Sequence, residues 1–239
     1  MNVAVILAGG TGSRMGGTLP KQFLTVAGRS VIEYAIDTFD RHAQIDEIAV
    51  VCHADYLEEM GAICRRNRWS KVKRLLTGGK ERYHSSLQAI ETYAAQAVEV
   101  KANADTVNLL LHDAARPLVS SRIITDCVEA LRRYEAVGVA VPATDTIVET
   151  TEADNLIARV TDRRLLRHMQ TPQCFRLNTI ARAYRLALTD PDFHATDDCG
   201  VVLRYLPQVP VYLVHGEHTN LKITYPEEMF LIEKLVTST

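Results

Sequence analysis

Apolar runs of strand length alternate with amphipathic stretches along most of this chain, and that alternation limits the folds open to it. Asn2–Ala8 (NVAVILA), Glu47–Cys52, Val72–Leu76, Thr106–Leu111, Val137–Val141 and Val209–Val214 read as strands. Between them, Ser30–Phe39, Tyr56–Arg66, Arg82–Val98, Ser120–Tyr134, Leu177–Leu188, Asp197–Tyr205 and Pro226–Val236 read as helices. Ser30 is placed as an N-cap with Glu33 at capping-box spacing. Continuous apolar strands interleaved with helices predict an α/β fold whose mostly parallel sheet is covered on both faces.

From Ala143 to Gln173 the rhythm breaks. The segment is polar, with short β-like pieces at Thr146–Glu149 and Leu156–Val160. It is expected to be a protruding β-arm within a single domain spanning residues 1–239, with a long surface insertion as the alternative.

Charge and cysteine content narrow the function classes. The formal net charge is -2, so no general basic field favours nucleic acid, and phosphate binding must come from a local site. Cys52, Cys64, Cys127, Cys174 and Cys199 form no CxxC pair and read as free thiols in a reducing, cytoplasmic setting, and no zinc-ligand spacing is present. No apolar run is long enough to span a membrane, and the first residues carry no basic n-region or cleavage site, so no signal peptide is expected.

The strongest local signal comes directly after the first strand: Leu7-Ala8-Gly9-Gly10-Thr11-Gly12-Ser13-Arg14-Met15-Gly16. Closely spaced glycines let backbone N–H groups converge on phosphate oxygens, and in open α/β sheets ligands sit beyond the carboxyl ends of strands. No Lys-Ser or Lys-Thr completes a Walker A loop. Gly10, Gly12 and Gly16 miss the dinucleotide spacing by one residue. Arg14 and Lys21 beside the loop suit a triphosphate, while a tight turn without a ligand is the bland alternative.

AGGTGSRMG followed by LPKQF resembles the start of nucleotidyltransferases that activate sugars and alditol phosphates. More narrowly, it is similar to the methylerythritol-phosphate and ribitol-phosphate cytidylyltransferase families. The resemblance extends in order through GGKERYHSS at 78–86, HDAARP at 112–117, PATDT, Arg163 and QTPQ between 142 and 173, and NLKIT at 220–224. It implies a three-layer, Rossmann-like α/β/α nucleotidyltransferase fold and a homodimer whose arms reach into each other's active sites.

Residue by residue, the resemblance places Ala8, Gly9, Gly10, Gly12, Gly79, Lys80, Ser85, Asp113 and Arg116 around the nucleotide. Lys80 stands where an acidic residue is common in the family. Asp113, a carboxylate at a strand end, is the expected Mg²⁺ ligand, with a substrate hydroxyl or a turn cap as alternatives. Arg116 is expected to clamp a phosphate or a substrate oxygen. The alditol phosphate falls to Thr146, Arg163, Thr171 and Thr196, with Arg164 as an alternative to Arg163. Thr219 stands where an acid is often found before the Asn-x-Lys motif, so the resemblance carries over no second protein ligand for the metal.

The implied reaction joins CMP from CTP to an alditol phosphate and releases pyrophosphate without a covalent intermediate. Arg14 and Lys21 would serve the α-phosphate and the leaving pyrophosphate, and Lys222 would bridge nucleophile and α-phosphate. HDAARP, the short loop between Met15 and Pro20, and the spacing from Thr146 to Arg163 favour methylerythritol phosphate as acceptor. LAGGTGSRMG, DTIVE and GEHTNLKIT read more like the ribitol-phosphate branch. A non-catalytic nucleotide-binding paralogue is a further alternative, as is transfer from another nucleotide base.

Overall fold

The computed structural model describes residues 1–10, 19–99, 103–152 and 155–237. The strands are β1 (Asn2–Ala8), β2 (Thr25–Val26), β3 (Arg29–Ser30), β4 (Glu47–Cys52), β5 (Val72–Thr77), β6 (Asn108–Asp113), β7 (Ala136–Pro142), β8 (Val148–Thr150), β9 (Ile157–Val160), β10 (Arg167–Arg176) and β11 (Val211–His215). The α-helices are α1 (Val31–Arg41), α2 (Leu57–Asn67), α3 (Arg82–Glu99), α4 (Ser121–Leu131), α5 (Leu177–Ala187), α6 (Asp198–Tyr205) and α7 (Pro226–Thr237).

Seven strands form the central sheet in the order β11-β7-β10-β6-β1-β4-β5, and only β10 runs antiparallel to its neighbours. Side chains alternate across a strand, so β1 serves two cores at once. Ala4, Ile6 and Ala8 face a core built with α1, α2 and α4. Val3, Val5 and Leu7 face a second core built with α3, α5 and α6. Both faces are therefore covered, which is why the strand reads as continuously apolar. At the head of α1, the Ser30 backbone N–H donates to Glu33 at 2.7 Å, in the expected capping box.

The segment read as an arm is divided by the structure. Val148–Thr150 and Ile157–Val160 pair as an exposed antiparallel hairpin. Its last part, however, belongs to β10, which lies between β6 and β7 in the middle of the sheet. Two features hid this strand. Its side chains Gln170, Thr171 and Gln173 are polar yet buried. Pro172, which ordinarily argues against a central strand, sits where pairing with β7 shifts register between Gln170 and Cys174. The protruding part therefore ends before Arg167.

The parallel register brings strand ends together. Ala8 pairs with Cys52, Leu7 with Asp113, and Cys52 with Thr77. The loops after β1, β5 and β6 thus open on one edge of the sheet.

Candidate active site

At that edge lies a cleft of about 300 Å³ whose lining includes Gly9, Gly10, Lys21, Lys80, Arg82, Ser85, Asp113 and Lys222. Gly12 and Arg14 lie outside the described residues.

Glycine leaves room where the loops after β1 and β5 meet. A Cβ on Gly9 would stand 2.5 Å from Ser85 Oγ, and one on Gly78 would stand 2.6 Å from the same atom. A Cβ on Gly79 would be 2.5 Å from His84 Cβ. Gly9 and Gly10 therefore present bare backbone to the cleft. The Gln22 side-chain amide fixes the loop by donating to the carbonyl oxygens of Ala8 at 2.7 Å and Gly10 at 3.0 Å.

Asp113 ends β6 and is nearly buried. Lys222 Nζ donates to its Oδ2 at 2.7 Å, and Arg82 Nε donates to Oδ1 at 3.0 Å. Burial alone would raise its pKa, but the charges of Arg82 and Lys222 hold the carboxyl well below the usual carboxylate range. Arg82 also donates through Nη1 to Asp198 at 2.5 Å, and the Tyr184 hydroxyl donates to the other oxygen of Asp198 at 2.7 Å.

A relay of hydrogen bonds shapes the turn behind Asp113. The Asp113 backbone N–H donates to Thr171 Oγ1 at 3.1 Å, and Thr171 Oγ1 lies 3.0 Å from His112 Nδ1. His112 Nε2 lies 2.9 Å from the Arg116 carbonyl oxygen, so Nε2 carries the proton and Nδ1 accepts from the threonine. Burial pushes the imidazole pKa down to about 4, which keeps it in this neutral form.

Two of the expected residues have partners within the fold. Thr171, expected at the substrate, lies beneath Asp113 and spends its hydroxyl on positioning that residue. Arg116, expected at the nucleotide, does not line the cleft. It donates to the carbonyl oxygens of Asn220 at 2.7 Å and Met169 at 3.2 Å, tying the Lys222 loop to the sheet. Asn220 adds a bond to the Thr171 carbonyl oxygen at 2.9 Å.

Of the remaining expected residues, Thr146, Arg163 and Thr196 do not line the cleft. Thr146 and Arg163 are exposed on the arm, where Arg163 donates to the Thr144 carbonyl oxygen at 2.9 Å. Thr196 is exposed just before α6. Lys21 and Lys222 converge on the cleft, with Lys21 Nζ donating to the Ile223 carbonyl oxygen at 2.7 Å.

Arg82 was not singled out in the sequence, although a signal exists. A cation in the first turn of a helix opposes the helix dipole, so its presence there calls for nearby carboxylates. Those partners, Asp113 and Asp198, lie 31 and 116 positions away.

Asp113 is a sparse donor set for a metal. Both of its oxygens already accept from cations, and no cluster of three or more His, Cys, Asp or Glu suited to a metal occurs among the described residues. Mg²⁺ commonly takes one or two carboxylates plus substrate phosphates. The site thus fits an ion delivered by a triphosphate, not a dedicated protein cage.

The profile of the IspD family, 2-C-methyl-D-erythritol 4-phosphate cytidylyltransferase, matches residues 2–238. A protein of that name from Thermobifida fusca is 49% identical over 98% of this chain and 92% of its own length. The bifunctional ribulose 5-phosphate reductase/CDP-ribitol pyrophosphorylase Bcs1 of Haemophilus influenzae is 39% identical over 99% of this chain, which spans 48% of that protein. The crystal structure of 4-diphosphocytidyl-2C-methyl-D-erythritol synthase from Anaerococcus prevotii superposes with a TM-score of 0.82 at 26% identity, covering 99% of this chain and 95% of that one. The glycine-lined cleft with its converging lysines therefore belongs to a nucleotidyltransferase, and the chain is a member of the 2-C-methyl-D-erythritol 4-phosphate cytidylyltransferase family.

Proposed function

We propose that this chain transfers CMP from CTP to 2-C-methyl-D-erythritol 4-phosphate and releases pyrophosphate, supplying isoprenoid precursors. The observation that carries the reading is the convergence of Lys21, Lys222 and Asp113 on a cleft walled in part by the backbone of Gly9 and Gly10. The 49% identity to the Thermobifida fusca protein supports this acceptor.

A phosphate oxygen of the alditol attacks the α-phosphorus of CTP. The bond to the bridging oxygen breaks, and pyrophosphate carries away the charge. Both reactants are anions, so the protein's task is to neutralise and align them. Lys21, together with Arg14, serves the α-phosphate and the leaving group, and Lys222 spans the nucleophile and the α-phosphate. Bound Mg²⁺, held by Asp113 and the phosphates, would neutralise charge on the triphosphate.

The reading includes a cytoplasmic homodimer with shared sites. On the arm, Leu156, Ile157, Val160 and Leu165 are between 61% and 81% exposed, and a two-stranded hairpin is marginal without something to pack on. A second copy covering this face would carry Thr146 and Arg163 to its partner's cleft. All five cysteines are unpaired, which suits a reducing compartment, and no described helix is long and apolar enough to cross a membrane.

The resemblance to Bcs1 favours a second acceptor, ribitol 5-phosphate. Pyrophosphate release from CTP with each alditol phosphate separates the two.

A further inference from the structure

The Asp113 carboxylate is held asymmetrically. Its Oδ1 accepts from Arg82, whose guanidinium is itself anchored by Asp198 at 2.5 Å. Asp198 is fully buried, and its backbone N–H donates to Gln173 in β10 at 2.9 Å. Tyr184 bonds its second oxygen at 2.7 Å. Everything on the Arg82 side is thus fixed to the sheet or to α5. On the other side, Oδ2 accepts from Lys222, whose side chain is 36% exposed and sits on a loop facing the cleft.

An arginine fork suits such a double anchorage because its N–H groups are set in one plane and can serve two carboxylates at once. A lysine presents its three donors from a single atom on a flexible stem, so it holds two carboxylates without the fixed geometry of the fork. Asp113 and Asp198 balance Arg82 and Lys222 within this network, and Arg116 adds a further positive charge beside Asp113.

From this arrangement we infer that Arg82 is a positioning residue of the transfer reaction: it clamps one oxygen of Asp113 so that Lys222 can leave the other for the nucleotide's phosphate. The inference rests on the proposed function for its turnover arm but not for its binding arm. With Arg82 absent, Lys222 is the cation left hydrogen-bonded to Asp113, with Arg116 adding only its nearby charge, so Asp113 retains the lysine and CTP must compete harder for it. The role assigned to Arg82 is exerted through Asp113, although its side chain also lines the cleft.

The test is a double-mutant cycle on CTP affinity by calorimetry, using the full chain and the variants Arg82→Gln, Asp113→Asn and their combination. Arg82→Gln is expected to weaken CTP binding about tenfold when Asp113 is present and less than about twofold in the Asp113→Asn background. Equal losses in both backgrounds overturn the inference, because Arg82 would then be touching the nucleotide or merely supporting the fold. Arg82→Lys, which keeps the charge and covers the case of an unfolded Arg82→Gln, is expected to fold and show a several-fold loss that also depends on Asp113. Unchanged CTP affinity in folded Arg82→Lys overturns the inference as well. In turnover, Arg82→Gln is expected to lower kcat only where Asp113 is intact. If the unaltered chain binds CTP yet releases no pyrophosphate with either alditol phosphate, the reading of function fails while the binding cycle still decides the role of Arg82.

Discussion

The Lys21 ammonium donates to the main-chain carbonyl oxygen of Ile223 at 2.7 Å, joining positions 202 residues apart. Ile223 comes directly after Lys222, so the two lysines assigned to the phosphates are held in one local frame. The Ile223 backbone N–H closes that frame by donating to the Ala115 carbonyl oxygen at 2.8 Å.

Lys21→Ala is accordingly expected to lower turnover by about 10²–10³-fold, the usual effect of losing one charge-assisted contact to a transition state. Steady-state kinetics on the folded variant, checked by its melting curve, measure this. Near-normal turnover would remove Lys21 from the mechanism.

The approach of Gly9 to Ser85 gives a stability prediction. In Gly9→Ala the new methyl meets Ser85 Oγ at 2.5 Å, and the variant is expected to lose about 1–3 kcal/mol in urea unfolding. Removing that oxygen leaves Ser85 Cβ, at 3.7 Å, as the nearest atom. The double variant Gly9→Ala, Ser85→Ala should therefore recover most of the stability without recovering CTP affinity. A double variant no more stable than Gly9→Ala would show that the clash lies elsewhere.

Shared active sites predict complementation. Arg163→Ala is defective in the arm and Lys21→Ala in the cleft, so each alone is expected to be nearly inactive. Mixed and allowed to exchange subunits, the pair should regain activity, because a mixed dimer contains one site with neither change. Ile157→Asp, which charges the exposed arm, should shift the chain to monomer in sedimentation analysis and lower its activity. Mixtures that exchange subunits and stay silent would contradict shared sites.

Glu33 supplies the pH dependence. Burial would raise its carboxyl, but Asn67, the Ser30 backbone N–H and Arg66 together lower it below its ordinary value of 4.5. A group depressed in the folded state contributes stability above its unfolded pKa, and loses it as pH falls through the folded value. Urea midpoints of the unaltered chain and Glu33→Gln should therefore differ most at neutral pH and converge on acidification below 4.5. A gap that widens on acidification would reverse the sign of this account.

Strands such as β1 and β6 were legible in the sequence because burial on both faces leaves a continuous apolar run. The head of α1 was legible because Ser30 and Glu33 act locally. β10 was not, since its buried Gln170, Thr171 and Gln173 bond to partners far away in sequence and so resemble a polar loop. The same reason explains the site. Gly9, Gly10, Lys21, Asp113 and Lys222 sit in motifs of recognisable chemistry, and the structure brings them to one cleft. The linking of Arg82 to Asp198, and the positioning role of Thr171, depend on contacts that no local pattern encodes.

The most direct test is pyrophosphate release from CTP and Mg²⁺ with 2-C-methyl-D-erythritol 4-phosphate and ribitol 5-phosphate measured side by side. The account predicts turnover with the first and little with the second. Turnover confined to ribitol 5-phosphate would contradict the assigned acceptor, and silence with both in a protein that binds CTP would contradict the assigned reaction.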